Sequence, residues 1–145
     1  MTPSRLGGTL IVMGSFCAIA GSFLPWIEAT DPATATTLTK VGVDGHYAML
    51  VDALAVIAAT FGGFVLVRRG GSTALALLLT AIALAQLGLV IFVGTNLSRG
   101  VALLEAEGAV AAIGVGLYLT GFGAVVEAAG GILASLKPRS LQPSA

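Results

Sequence analysis

The chain has 145 residues, of which 57% are hydrophobic and only 10% are charged, and its mean hydropathy is +1.00. Such values exclude an ordinary soluble domain and indicate a protein embedded in lipid. Seven basic residues balance seven acidic ones, so we expect no nucleic-acid binding. The single cysteine, Cys17, excludes an intrachain disulfide and a multi-cysteine metal site.

Four apolar runs follow one another along the chain, at residues 6–27, 47–67, 73–95 and 113–136. A hydrocarbon core of about 30 Å is crossed by about 20 helical residues, so each run is long enough to span it. Backbone polar groups in lipid need partners within their own segment, which makes these runs helices. The sequence therefore predicts an all-α membrane protein, folded over residues 1–145 as a single antiparallel bundle of four transmembrane helices.

The segments between the spans differ in length and charge. The loops at 28–46 and 96–112 are long and are expected on one side of the membrane, and the loop at 68–72 is short. More basic residues are expected on the side of the short loop and the termini than on the side of the long loops. The first side has Arg5, Arg68, Arg69, Lys137 and Arg139, and the second has Lys40 and Arg99. The excess of positive charge predicts that both termini are cytoplasmic, in a multi-pass protein of the plasma membrane.

The two long loops carry signals of local structure. Residues 36–43 are rich in β-forming side chains and precede the turn signal Asp44–Gly45, which indicates a short extracytoplasmic β-hairpin. In the second loop, Leu97, Val101 and Leu104 recur at helical spacing, which predicts a short amphipathic helix lying at the membrane interface.

The only Trp and Tyr residues of the chain lie near the outer ends of the predicted spans. They are Trp26, Tyr47 and Tyr118. Aromatic side chains with a polar tip are enriched at the level of the lipid headgroups, so all three are predicted to be interfacial anchors. For Trp26, a role in recognition is the alternative.

Glycine recurs every seven residues in the first and last spans. The first series is Gly7, Gly14 and Gly21, and the second is Gly116, Gly123 and Gly130. Glycine lets two helices approach until their backbones touch, and a period of seven keeps the glycines on one face. We therefore expect the first and fourth helices to pack antiparallel along these residues. Association between copies of the chain through one series is the alternative, and glycine is also common in membrane helices without such a role.

Glu127 is the one ionisable residue deep within a predicted span, and such residues are candidate functional sites. It lies four residues after Gly123 and three before Gly130, so it should face protein. Hydroxyl groups predicted near its depth belong to Ser15, Thr60, Thr80 and Thr120, and Gln86 is expected to form a second interhelical hydrogen bond. The carboxyl is expected to be a neutral acid that links helices, or alternatively a carrier of protons or cations.

Catalytic and metal-binding patterns are not recognisable in the sequence. His46 stands alone, with no second ligand at metal-binding spacing, and no nucleophile with its base and no phosphate-binding loop is found. We therefore expect no enzyme, no metal and no cofactor.

Three short segments resemble small four-span membrane proteins of actinobacteria and related bacteria, most of which have no assigned activity. The segments are Leu24, Pro25 and Trp26; Asp44 and Gly45; and Gly116, Leu117, Tyr118, Leu119 and Thr120. The layout is also similar to claudin-like tetraspans in architecture, without their paired loop cysteines. It is further similar to the duplicated proteolipids of rotary ATPases, a resemblance that would make Glu127 a proton carrier.

Two functions of different classes follow from these observations. The first is a non-catalytic accessory or scaffold subunit that docks in a larger membrane protein assembly or forms a homo-oligomer. The second is a small protein that translocates protons or ions through Glu127.

Overall fold

The computed structural model describes residues 2–67 and 72–136. Within these residues the helices are α1 (Pro3–Ser22), α2 (His46–Val67), α3 (Thr73–Ala106) and α4 (Val115–Ser135), and the strands are β1 (Pro25–Asp31), β2 (Thr36–Val41) and β3 (Val110–Ile113). Each helix is long and apolar enough to cross a membrane. The protein is therefore a multi-pass helical membrane protein with a small sheet.

The helices form a ring in which chain neighbours are also spatial neighbours. α1 packs most extensively against α4 and also contacts α2, α4 contacts α3, and the contact between α2 and α3 is the sparsest of the four. Large apolar side chains cover the outside of every helix, such as Phe16, Val56, Ile91 and Phe122, each more than half exposed. An apolar exterior of this kind matches lipid as its surrounding solvent.

The described residues are mostly helical, as predicted, but the β-structure is larger than the predicted short hairpin, because three antiparallel strands form a sheet in the order β2-β1-β3. This sheet marks one end of the bundle, which we call the sheet end. Strand β2 lies where the sequence predicts a hairpin strand. Its partner β1 covers residues 25–27 of the predicted first span and residues 28–31 of the predicted loop, and the turn between the two strands is residues 32–35. The Asp44–Gly45 pair instead follows β2, where Gly42–Asp44 forms a single 3₁₀ turn before α2.

α1 ends at Ser22 and does not continue to residue 27. Pro25 explains the difference, since proline lacks the N–H that the helix needs and disfavours helical backbone in the residue before it. The amides of Phe23 and Leu24 close the last turn by donating to the carbonyls of Ala20 and Gly21. The chain then leaves as an extended strand.

The hairpin turn between β1 and β2 is organised by one carboxylate. Asp31 accepts hydrogen bonds from the Ala33 amide at 2.8 Å and from the Thr34 hydroxyl at 2.9 Å. Both bonds favour the charged form and lower the pKa of Asp31 below its ordinary value. Ala35 closes the turn with a positive φ of 54°.

The amphipathic helix predicted at 97–104 is not a separate element, because α3 runs unbroken for 34 residues to Ala106. At 1.5 Å per residue its length is about 51 Å, well beyond the thickness of a hydrocarbon core. The half-buried side of its last turns contacts β3 and β1, and Leu97 packs with the core cluster around Trp26. α3 ends at Ala106, two residues before Gly108, whose φ of +92° is a backbone geometry that favours glycine.

The structure describes three of the seven basic residues on which the predicted orientation rests. Arg5 lies on α1 at the end opposite the sheet, whereas Lys40 on β2 and Arg99 on α3 lie at the sheet end. The remaining basic residues, Arg68, Arg69, Lys137 and Arg139, lie outside the described residues.

Candidate functional site

α1 and α4 meet along the six heptad glycines, which we call the glycine interface. Gly7 faces Gly130, Gly14 faces Gly123, and Gly21 faces Gly116. A methyl group on Gly123 would lie 2.5 Å from the Gly14 carbonyl oxygen and 2.6 Å from the Ala18 nitrogen. Backbone therefore touches backbone at these levels, as the heptad spacing predicts for an antiparallel pair.

Single glycines also allow close contact between α1 and α2 and between α3 and α4. A methyl group on Gly62 of α2 would lie 2.6 Å from Ile11 of α1, and one on Gly131 of α4 would collide with Thr80 of α3. The bundle is therefore held by close approach on several sides, with the longest such contact between α1 and α4.

Glu127 lies beside the glycine interface with 1% of its surface exposed. Its Cγ atom lies over Gly14, so that a methyl group added at Gly14 would be 2.7 Å from this atom. Both carboxyl oxygens are buried and accept no hydrogen bond from the residues that the structure describes. The neighbouring Ser15 hydroxyl interacts with the carboxyl but donates its hydrogen to the Ile11 carbonyl at 2.9 Å.

The other hydroxyls predicted to satisfy Glu127 are engaged elsewhere. Thr120 is buried in the same interface, but it donates to the Gly116 carbonyl at 2.9 Å and lies 3.4 Å from that of Ala18. Thr80 and Thr60 each bond a carbonyl one turn back in their own helix. The assignment of Thr60 to the interior is wrong, because α2 turns this residue to the exposed surface.

Gln86 is another fully buried polar side chain of the bundle, at 0% exposure. Its amide nitrogen donates to the Val51 carbonyl on α2 at 3.3 Å, so it links helices as expected, while its amide oxygen has no partner among the described residues. Contacts of Gly131 with Thr80 and of Gly121 with Val90 set the register of α3 and α4. By that register Gln86 and Glu127 differ in height by only about 3 Å.

A further interhelical pair, Ser22 with Asp52, was missed from the sequence. The Ser22 hydroxyl lies 2.9 Å from Oδ2 of Asp52 and 2.7 Å from the Ile19 carbonyl oxygen. Ser22 follows Ser15 by seven residues, the same period as the glycines. That spacing is the signal that could have placed both serines on the buried face of α1.

The prediction that Trp26 anchors the chain in the headgroups is wrong, because only 5% of its surface is exposed. A bulge in β1 adds Trp26 as an extra residue between Pro25 and Ile27 and turns its ring inward. The indole N–H donates to the Gly21 carbonyl at 3.0 Å. Gly42 lies directly under the ring, where any side chain would collide with it.

The two tyrosines differ from Trp26. Tyr47 is 47% exposed and Tyr118 is 65% exposed, and both lie in the first turn of a helix at the sheet end. Their role as interfacial anchors stays a prediction.

Between the sheet and the helices lies a half-open cavity of about 200 Å³, which we call the sheet-end groove. Its walls come from β1 and β2 on one side and from α2 and α3 on the other. They include Trp26, Ile27, Lys40, Tyr47, Val93 and Leu97.

Comparisons with known proteins leave the family open. Neither the family models nor the curated proteins contain a match to this chain. Within 2–67 and 72–136, no group of three or more His, Cys, Asp or Glu side chains is arranged to hold a metal ion. The resemblances noted from the sequence therefore stay predictions.

Proposed function

We propose that the protein is a non-catalytic accessory or scaffold subunit that docks in a larger assembly of membrane proteins. The observation that carries this proposal is the exposed edge strand β2 at the sheet end. The glycine interface is filled within the chain itself, so we place the docking surface at β2 and not along those glycines.

Strand β2 has the properties of a docking edge. It pairs with β1 on one side, and no described strand pairs with it on the other. Residues 36–40 are exposed on both faces of the strand. Soluble proteins usually cover or charge such an edge, because its free N–H and C=O groups pair readily with another chain. A partner that adds a strand there would satisfy those groups.

Leu38 adds an apolar contact to this edge. It is paired with Ala29, which is paired in turn with Ala111, so the three side chains share one face of the sheet. The two alanines are buried, whereas Leu38 is 71% exposed. A large apolar side chain in this position gives a partner strand a side-chain contact beside the main-chain hydrogen bonds.

The sheet is held rigidly enough to present that edge. Gly114 packs against the carbonyl of Pro25, where any side chain would collide, and this contact fixes the start of α4 to β1. The protruding part of α3 supports β3 from the other side. Docking on a preformed strand requires little ordering of the chain.

A photo-crosslinking amino acid at position 38 tests the proposal in intact cells. We expect one discrete adduct from position 38 and none from position 103, because Leu103 is 68% exposed on α3 and belongs to no sheet edge. The same partner should co-purify in mild detergent, and Leu38→Asp should weaken its recovery. A protein that purifies alone, with the same adducts from both positions, would refute docking at β2.

Proton translocation through Glu127 is the second candidate function, supported by a buried carboxyl whose two oxygens accept no hydrogen bond from the described residues. Intramembrane acids of this kind occur in proton relays. Glu127→Gln should abolish proton flux into liposomes that contain a pH-sensitive dye, whereas Glu105→Gln, on an exposed turn of α3, should not. Absence of flux in the unmodified protein, together with intact assembly of Glu127→Gln, would leave the accessory role.

We further propose a plasma-membrane location, with the sheet end outside the cell and both termini in the cytoplasm. The support is the distribution of basic residues in the sequence. Replacement of Cys17 gives a chain without cysteine, into which Thr37→Cys and Thr2→Cys can be introduced singly. A membrane-impermeant maleimide added to intact cells should label position 37 and spare position 2. The reverse pattern would invert the proposed orientation.

A further inference from the structure

The sheet-end groove is apolar along most of its wall but has charged residues among its lining. Trp26, Val93 and Leu97 provide apolar surface, and Lys40 and Asp44 also line the groove. Asp44 accepts a hydrogen bond from the Val41 amide at 3.3 Å. Lys40 is exposed and forms no ion pair with the residues that the structure describes.

The groove adjoins the lipid-facing surface of the bundle. It lies where α2 begins, at the sheet end of the sparsest helix contact, between α2 and α3. Tyr47 lines it, and the Tyr47 ring packs edge to face on Phe92 with 5.7 Å between centroids. Both rings are about half exposed on the outside of the helices. An apolar chain in the bilayer can therefore reach the groove along the surface of the protein.

We propose that the sheet-end groove binds one acyl chain of a membrane phospholipid, whose phosphate group pairs with Lys40. The apolar wall matches the chain, and the exposed Lys40 ammonium group, which forms no ion pair with the described residues, matches the phosphate. Engineered apolar cavities of about 150 Å³ bind a molecule the size of benzene. The volume of about 200 Å³ therefore fits a segment of one chain and not a whole lipid.

The protein carries its own reporter for this site, because Trp26 is the only tryptophan in the chain and lines the groove. In liposomes of phosphatidylglycerol with brominated acyl chains, we expect the bromine atoms to quench the fluorescence of Trp26. Quenching by heavy atoms requires close approach, and the ring itself is almost completely buried. Strong quenching therefore reports a chain within the groove.

Gly45→Leu fills the groove from within. A methyl group at Gly45 would have only the Gly42 carbonyl oxygen near it, at 3.5 Å, and the φ of −110° accepts any residue. Each methylene displaced from the groove should weaken lipid binding about fourfold. Gly100→Leu is the matched control. Gly100 lies on α3 and does not line the groove, and an added side chain there meets nothing within 4 Å. It should be quenched like the unmodified protein.

Lys40→Gln tests the phosphate contact independently of the groove volume. One basic residue near an anionic surface contributes about fivefold to lipid affinity. For Lys40→Gln, the phosphatidylglycerol concentration that gives half-maximal quenching should therefore rise by about that factor. Equal quenching of the unmodified protein, Gly45→Leu and Lys40→Gln would overturn the proposal. Failure of brominated lipid to quench Trp26 at all would also overturn it and would point to a protein segment as the occupant.

Discussion

Gly123→Ala tests the glycine interface by adding a single methyl group at its centre. The new carbon would lie 2.5 Å from the Gly14 carbonyl oxygen and 2.6 Å from the Ala18 nitrogen, and both are backbone atoms that no rotamer change can move. Ordinary contact begins at 3.4 Å, so α1 and α4 must separate by about 0.9 Å. A gap of that size removes about a quarter to a half of the dispersion energy of each contact it widens.

The expected cost of Gly123→Ala is about 1–3 kcal/mol, the usual range for overpacking in a close-packed interior. Gly88→Ala is the matched control, because Gly88 is exposed on α3 and an added methyl group meets nothing within 4 Å. Both substitutions gain the same helix propensity from alanine, so their difference isolates the packing term. Gly94 is a poorer control, since its methyl group would lie 3.3 Å from Leu117.

Thermal unfolding in mild detergent, followed by the fluorescence of Trp26, measures this difference. We expect Gly88→Ala to melt at or above the temperature of the unmodified protein and Gly123→Ala to melt several degrees lower. Gly14→Ala should behave like Gly123→Ala, because it meets the same contact from the other helix. If all of these variants unfold at one temperature, backbone contact along the glycine interface does not stabilise the bundle.

Three more predictions concern the sheet end. Trp26→Phe removes the indole donor to the Gly21 carbonyl, which still accepts from the Leu24 amide, so the loss of one hydrogen bond should cost about 0.5–1.5 kcal/mol in thermal unfolding. Gly42→Ala should loosen the sheet because its methyl group collides with the Trp26 ring, whereas Gly45→Ala should unfold like the unmodified protein. The near-ultraviolet circular dichroism of Trp26 should therefore change in Gly42→Ala and not in Gly45→Ala. The folded-state pKa of Asp31 is lowered, so the Asp31 carboxylate should stabilise the turn fully above pH 3.8, its ordinary pKa, and lose this effect as the pH falls through the lower folded pKa. Amide hydrogen exchange of the turn residues measures this pH dependence, and Asp31→Asn should remove it.

The interior polar residues show how far reasoning from the sequence reaches. The spacing of Glu127 from Gly123 and Gly130 predicts that it faces protein, and the structure places it buried beside α1. Its partners could not be predicted, because a hydroxyl in a helix bonds its own backbone as readily as a neighbour. Thr60 and Ser15 both do so, and within 2–67 and 72–136 the Glu127 carboxyl accepts none of the hydrogen bonds expected for it.

Composition by itself determined that the chain has four helices long and apolar enough to cross a membrane, because lipid as a solvent fixes the secondary structure. The period of the glycines determined that the first and fourth helices meet along Gly14 and Gly123, because a missing side chain allows the closest contact. The sequence predicts the strand β2, but the pairing of the three strands was decided only by the tertiary structure. Val110–Ile113 pairs with residues eighty or more positions earlier in the chain, and no local pattern records such a partner. Trp26 is buried for the same reason: the bulge that turns its ring inward exists only once β1 has paired with β2.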